Sequence, residues 1–227
     1  MIDKLLETIK ENEMFHIVNA VAFEGAWQNE PTKVKSGTFT AAGKKKQKAT
    51  MMTFSENFYL YDDHATGFVK YYKGGRYAFA ALLPDKNMSV EDYVSSLSAG
   101  QITNLLARRQ VTDVTVTMPK FTVDFSCELS DAMKEAGIKQ AFSGAANFSA
   151  MSDTDLFIEA IDHKTHIEVD ETGTRAAAVT DVRMLEIAMP QNPEKPKTVV
   201  LDRPFVYMIL DTEANIPLFL GTLNTLN

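Results

Sequence analysis

The side chains with which this chain could do hydrolytic chemistry are its serines, its aspartates and its four histidines. A catalytic triad can be composed from such residues, but the sequence contains no Gly-x-Ser-x-Gly nucleophile elbow. It also contains no phosphate-binding loop, no dinucleotide-binding glycine pattern and no His-Glu-x-x-His zinc motif. The motifs therefore favour a protein that is not an enzyme, and they predict no cofactor and no bound metal.

The histidines and paired acids fit structural roles better than catalytic ones. His163 and His166 are three residues apart on a predicted strand, so they point to opposite faces and cannot share a metal. His163 falls on the apolar face, where a histidine is typically a core residue. A hydrolase that used His163 would need its imidazole exposed beside a serine. Asp62 and Asp63 lie in a predicted loop, which favours solvation over acid–base work.

The most unusual stretch of the chain is residues 171–184. Its charged residues after Gly173 all fall at odd positions, whereas every even position from Thr174 to Met184 is uncharged. Side chains alternate between the two faces of a strand, so this run could present one uncharged face to a protein interior. Alanines at 176, 177 and 178 would let such a strand fit into a narrow gap in a sheet.

Two ordinary interpretations compete with that one. The run could be an edge strand, or it could be a turn of helix, because alanine is the best helix former. Local propensity does not decide among the three, but the sequence around the run does.

Composition narrows the function class. Of 227 residues, 45% are hydrophobic and 23% charged, with a formal net charge of −7, which disfavours nucleic-acid binding. The single cysteine, Cys127, cannot form an intrachain disulfide and suggests no zinc site. No apolar run reaches membrane-spanning length, and residues 1–15 lack a signal-peptide core. We therefore expect neither nucleic-acid nor membrane partners, and the compartment stays open.

The elements predicted from the pattern are mostly strands, which gives an α+β fold class. Residues 14–23 are apolar on both parities, as in a central strand, with Asn19 expected as a buried amide. Gly74 and Gly75 predict a hairpin between strands at 68–73 and 76–83. Further strands are predicted at 38–40, 49–61, 113–124, 156–170 and 198–201, and two buried strands at 205–210 and 217–221.

Three short helices complete the pattern. Ser89 predicts a helix start, and Ser98 with Gln101 forms a predicted capping box for the next helix. A third helix is predicted over residues 129–136, ended by Gly137.

A set of short motifs runs through the chain in a specific order and spacing. The motifs are Asn19 to Phe23 with Gly25 and Trp27; Met51-Met52; Pro119-Lys120-Phe121; Gly137-Ile138; Ala141-Phe142; Asn147-Phe148-Ser149; His163-Lys164; Glu171 with Gly173, Thr174 and the three alanines; Arg203-Pro204-Phe205; and Pro217 to Gly221. Together they resemble the C-terminal part of a serpin, a serine-protease inhibitor. The resemblance implies a partial serpin fold of large mixed and antiparallel sheets, with one domain over residues 1–227 and a reactive loop at about 171–196.

The resemblance implies an inhibitory mechanism centred on that loop. Glu171, Gly173, Thr174, Ala176, Ala177 and Ala178 match the family's hinge, the term used here for residues 171–178. In inhibitory members a protease cleaves the loop and forms an acyl-enzyme, after which the loop inserts into the main sheet as a new strand. The implied function is inhibition of a serine-type endopeptidase as a suicide substrate.

The resemblance also places the bond that the protease cleaves. In the family it lies sixteen residues after the hinge glutamate, here between Ile187 and Ala188. Ile187 would suit an elastase-like serine protease, with a cysteine protease of similar preference as the alternative. Met184 and Leu185 are alternative positions, and Arg183 would suit a trypsin-like enzyme.

Two further sites follow from the resemblance. Trp27, Lys120 and Glu171 match the breach, where the loop first enters the sheet, and are called the breach residues below. Asn19 and His163 match the shutter, where the sheet must open, and are called the shutter residues. A contact between Glu171 and Lys120 is expected to hold the gap closed before cleavage.

The chain departs from the family in lacking its large N-terminal portion. Such a chain would leave apolar faces uncovered, which favours a complementary N-terminal chain or self-association as a partner. The alternative function is therefore a truncated, non-inhibitory binding module with a serpin-type fold.

Overall fold

The computed structural model describes residues 15–174 and 195–226. Their contacts divide into two compact units, which are described separately below. The first comprises residues 15–23 and 123–167, and the second comprises residues 24–122 with the described part of 168–227. The single domain expected from the sequence stays a prediction.

Strands dominate the part of the chain that the structure describes. Its strands, β1 to β13 in chain order, are His16–Val21, Gly25–Ala26, Lys33–Thr40, Lys46–Tyr61, Ala65–Tyr71, Tyr77–Pro84, Gln110–Pro119, Phe121–Glu128, Ala160–Val169, Gly173–Thr174, Lys197–Val200, Phe205–Asp211 and Ile216–Leu223. Its α-helices, α1 to α3, are Val90–Ser96, Ala99–Ala107 and Ser130–Glu135. None of these helices has the length and apolar character needed to cross a membrane.

The second unit is built on an eight-stranded sheet. Its order is β11-β7-β4-β5-β6-β12-β13, and β3 pairs with the first half of β4. All neighbours are antiparallel except β11 and β7, which are parallel. Alternating apolar residues and a long β4 explain this sheet, because one strand of 16 residues can pair with three partners.

The predicted hairpin is confirmed. β5 and β6 pair from Ala65 opposite Pro84 to Tyr71 opposite Ala78. Gly74 and Gly75 both have positive φ, at 87° and 72°, the conformation that a tight turn between twisted strands requires. The turn therefore brings residues 70–72 of β5 into a fixed position next to β6.

The two predicted helix starts on this unit are also confirmed. Ser89 accepts a hydrogen bond from the backbone N–H of Asp92, and Ser98 with Gln101 forms a complete capping box. α1 and α2 cover one face of the sheet, where Tyr93 and Leu106 are each 1% exposed. This packing forms one hydrophobic cluster of the unit.

Two strand predictions need correction. The single strand predicted over 113–124 is instead two strands, β7 and β8, which Lys120 separates. The backbone N–H of Lys120 donates to Thr50 O. The strand predicted from residue 156 begins only at Ala160, because Ile158 N–H bonds to Ala141 O in a loop arrangement.

The prediction of two buried strands near the C-terminus is half right. β12 is buried throughout, but β13 ends the sheet order among the described residues and alternates in exposure. Ile216, Leu218 and Leu220 are about half exposed, at 49%, 47% and 53%. An apolar run therefore marked an edge strand here rather than a central one.

The first unit contains β1 in parallel with β9, from His16 opposite Ala160 to Val21 opposite Thr165. β8 also pairs with β9. α3 lies where the sequence predicted it, and Gly137 follows it with a φ of 103°. Among the described residues β1 pairs on one side only, so it is not the fully enclosed strand expected.

Candidate functional site

Two residues near the start of the hinge already form a strand. In β10, Gly173 pairs with Ala26 of β2, and Thr174 pairs with both Gly25 of β2 and Val169 at the end of β9. Thr174 is 1% exposed. The backbone of residues 173–174 is therefore bonded on both sides, as in an internal strand.

Gly173 is required by the close approach of β2. A Cβ built on Gly173 would lie 2.0 Å from the carbonyl oxygen of Gly25 and 2.8 Å from the Cα of Ala26. Its backbone φ of 157° is also one that residues other than glycine rarely adopt. Only glycine lets the hinge enter between β9 and β2 at this point.

Asp170 shapes the turn that leads into the hinge. Its Oδ1 accepts hydrogen bonds from the backbone N–H of Thr172, the hydroxyl of Thr172 and the backbone N–H of Gly173, at 2.7, 2.7 and 3.1 Å. Burial raises the pKa of this carboxyl, but the hydrogen bonds from Thr172 and Gly173 outweigh burial and leave the pKa below its ordinary value. Sequence reasoning missed Asp170, although aspartate is a known turn former because its side chain can bond to the backbone two residues further on.

Trp27 binds the same turn through its backbone and its side chain. Its indole N–H donates to Asp170 O at 2.8 Å, and its backbone N–H donates to Thr172 O at 2.9 Å. The indole stacks on Tyr72 with ring centroids 4.6 Å apart and an angle of 13°. This breach residue is thus the main partner of the segment just before β10.

Tyr72 joins the stack to the hinge, and sequence reasoning did not find it. Its hydroxyl lies 2.5 Å from Thr174 Oγ1. Burial raises the pKa of the Tyr72 phenol, so the hydroxyl stays protonated at neutral pH and can hydrogen-bond as a neutral group. Its place beside the glycine turn of the β5–β6 hairpin was the only available signal, and a weak one.

The remaining breach residues form an ion pair. Lys120 Nζ contacts the carboxylate of Glu171, with the two side chains 31% and 43% exposed. The structure therefore brings together the glutamate and lysine expected to meet. Their role in holding the hinge before cleavage stays a prediction.

The ion pair makes the hinge sensitive to acid. The hydrogen bond from Lys120 lowers the pKa of Glu171 below its ordinary 4.5, so the folded state binds this proton less readily than the unfolded one. The stabilisation is therefore present above pH 4.5 and is lost as pH falls through the lower folded-state pKa. Since the pair is partly exposed, we expect about 1 kcal/mol or less.

Urea unfolding from pH 7 to pH 3 of the natural chain and of Glu171→Gln tests this expectation. The difference in unfolding free energy between the two proteins should shrink below pH 4.5. When both proteins also carry Lys120→Met, the difference between them should no longer depend on pH. A difference that stays constant over the whole range contradicts the assignment.

The shutter residues lie opposite each other but not as expected. Asn19 on β1 is in register with His163 on β9. Asn19 is exposed, so the prediction of a buried amide is wrong. The reason is that β1 has a strand neighbour on one side only among the described residues. His163 is half-buried, and its Nδ1 has no hydrogen-bond partner in the described part of the chain.

The other predicted site residues lie outside the described residues. They are the hinge alanines Ala176, Ala177 and Ala178, the proposed reactive bond Ile187–Ala188, and the alternatives Met184, Leu185 and Arg183. The described site therefore consists of the start of the hinge and the residues that hold it.

Comparisons with known proteins identify relatives of this chain. The family model described as Serpin (serine protease inhibitor) matches residues 1–226. The chain is 30% identical to Intracellular coagulation inhibitor 2 of Tachypleus tridentatus, over 100% of this chain and 55% of that protein. It is also 30% identical to Iripin-2 of Ixodes ricinus, over 99% of this chain and 57% of that protein.

A solved structure agrees in fold. The native state of Tengpin, a thermophilic serpin, matches with a TM-score of 0.87 and 36% identity, covering 100% of this chain and 59% of that one. The chain thus spans a little more than half the length of these relatives.

Proposed function

Because the chain belongs to the serpin family, we propose that it carries the reactive loop and hinge of an inhibitor of serine-type endopeptidases. Serpins are protease inhibitors rather than catalytic enzymes, and one relative is named a coagulation inhibitor. The observation that carries the proposal is β10, whose two residues are already paired between β9 and β2. A strand that has begun to enter a sheet can lengthen there.

The proposed reaction starts with attack of the protease serine on the carbonyl of Ile187. The Ile187–Ala188 peptide bond breaks, the new amino terminus at Ala188 leaves, and Ile187 remains joined to the serine as an ester. The segment after Thr174 is then free to add to the sheet as a continuation of β10. In an ordinary protease reaction, water then hydrolyses this ester. Insertion must be faster than that hydrolysis for the protease to remain bound.

Backbone hydrogen bonding supplies much of the free energy that insertion of the loop would release. Each new hydrogen bond contributes about 0.5–1.5 kcal/mol net, so an inserted strand of about ten residues with buried alanines could contribute roughly 10 kcal/mol. The uncharged even positions 174–184 let the inserted face enter without burying a charge.

We propose an elastase-like serine protease as the target, since Ile187 presents an apolar side chain to the primary specificity pocket. A cysteine protease of similar preference is the alternative. Incubation with an elastase, followed by denaturing gel electrophoresis and mass spectrometry of the released peptide, tests both the mechanism and the bond. We expect a band of summed mass and a peptide that begins at Ala188.

The outcomes separate the candidate functions. A released peptide that begins after Met184 or Leu185, or after Arg183 with a trypsin-like enzyme, would assign the reactive bond to that position instead. Clipping with no band of summed mass would contradict inhibition by this chain. Ile187→Asp is a suitable control, since it should abolish cleavage by elastase without touching the hinge.

One observation favours a second candidate, a non-inhibitory binding module. Ile216, Leu218 and Leu220 on β13 are about half exposed, and exposed apolar rows favour association. A complementary N-terminal chain or a second copy of this chain would cover them. Light scattering of the purified protein tests self-association, and a monomer of about 25 kDa that traps no protease would leave binding to a complementary chain as the function.

A further inference from the structure

A buried ion pair lies next to the breach. Lys70 on β5 is 1% exposed, and its ammonium donates to Glu56 Oε1 on β4 at 2.7 Å and to Asn29 O at 2.8 Å. The Glu56 side chain is 10% exposed. Both charges are therefore removed from water and depend on each other.

The same ammonium lies against two aromatic rings. Its Nζ is 4.2 Å from the centroid of Phe54 and 5.2 Å from the centroid of Trp27. A cation within about 6 Å of a ring is attracted by the negative face of the ring, most strongly for tryptophan. Lys70 therefore acts on the indole that binds Asp170 and stacks on Tyr72.

Stability alone does not explain this ion pair. Desolvation raises the pKa of Glu56 and lowers that of Lys70, although each charge offsets part of the effect on the other. Replacing a buried ion pair with apolar side chains of similar size is often neutral or stabilising. A pair kept at this cost beside Trp27 points to a role in the orientation of the indole.

The contacts of Trp27 connect the ion pair to the hinge. The indole N–H donates to Asp170 O, and the ring stacks on Tyr72, whose hydroxyl contacts Thr174. A change in the angle of the ring would therefore alter the contacts on both sides of Gly173.

We propose that Lys70, neutralised by Glu56, is a positioning residue that orients Trp27 and thereby sets how firmly residues 170–174 are held in the sheet. This inference rests on the proposed inhibitory function for its consequence, which is the rate at which the hinge lengthens into a strand. The orientation of the indole can be measured without any protease.

The test replaces both charged side chains by apolar ones of similar size, in the double variant Lys70→Met with Glu56→Leu. Because Trp27 is the single tryptophan, its indole N–H gives one NMR signal and its fluorescence reports on this site alone. We expect its indole N–H to exchange roughly threefold to thirtyfold faster, the range that a cation–π attraction of this kind implies. The midpoint of thermal unfolding should stay unchanged or rise.

Arg76→Met is the matched control, since it removes the more exposed ion pair with Asp211 and should leave the indole signal unchanged. The proposal would be overturned if the indole N–H exchange rate and the fluorescence of the double variant equalled those of the natural chain. It would also be overturned by a fall in the unfolding midpoint with uniformly faster exchange of β4, β5 and Trp27, which indicates a structural role only.

The two proposals fail separately. If the natural chain traps no protease, the inhibitory function is wrong, whatever the indole exchange shows. If the natural chain traps protease and the double variant does so with the same ratio of trapped to clipped product, the positioning role is wrong.

Discussion

Replacement of Gly173 by alanine is expected to expel β10 from its place between β9 and β2. The added Cβ would lie 2.0 Å from a backbone oxygen that cannot rotate away, so the hinge itself must move. Overpacking of this kind costs about 2–3 kcal/mol, which corresponds to a fall of roughly 5–10 °C in the unfolding midpoint for a chain of this size.

Thermal unfolding and tryptophan fluorescence measure the effect of Gly173→Ala. Trp27 is 1% exposed, and loss of Asp170 and Thr172 as partners should expose it and shift its emission to longer wavelength. Gly100→Ala is the matched control, because nothing lies within 4 Å of the added Cβ and the site is in helix α2. It should be neutral or stabilising. Equal behaviour of the two variants would contradict the tight fit inferred for Gly173.

A charge at position 176 is expected to turn the proposed inhibitor into a substrate. Thr174 is buried, and side chains two positions apart share a face of a strand. A strand that continues β10 would therefore carry Ala176 inward, and Ala176→Glu would bury an unpaired carboxylate. That cost of several kcal/mol should reduce the ratio of covalent complex to clipped chain by about tenfold or more.

The matched control for this prediction is Ala177→Glu. It makes the same chemical change one residue along the chain, on the face that also carries Arg175, Asp181 and Arg183. We expect it to retain most of the covalent complex on a denaturing gel. Undiminished complex with Ala176→Glu, or equal loss in both variants, would show that insertion does not follow the alternation in the sequence.

Local features of the fold could be predicted because short-range chemistry determines them. The glycine pair at 74–75, the capping serines at 89 and 98, and Gly137 all lie where the sequence placed them. Each depends on backbone conformation or hydrogen bonds within a few residues. The order of the motifs was also sufficient to identify the family.

Features that depend on partners distant in sequence could not be predicted. The contact of Tyr72 with Thr174 spans 102 residues, and that of Trp27 with Asp170 spans 143. The apolar composition of β13 did not reveal that it is an edge strand, and Asn19 was expected to be buried because its neighbours are apolar. Burial depends on which strands flank a segment, and a single sequence does not state this.

The ion pair of Lys70 and Glu56 is a further instance. A lysine in an apolar strand normally extends its charge to solvent, so nothing in the pattern predicted a buried ammonium. The burial of this ammonium depends on contacts with Trp27, Phe54 and Glu56, none of which is adjacent to Lys70 in the sequence.

The most direct test of the central claim is the heat stability of the chain before and after cleavage of its loop. A protease that cuts near residue 187 should allow residues beyond Thr174 to continue β10. The unfolding midpoint should then rise by roughly 20 °C or more, if insertion contributes on the order of 10 kcal/mol. Cleavage that leaves the midpoint unchanged, with the new end still open to further proteolysis, would contradict the proposal that this loop becomes a strand.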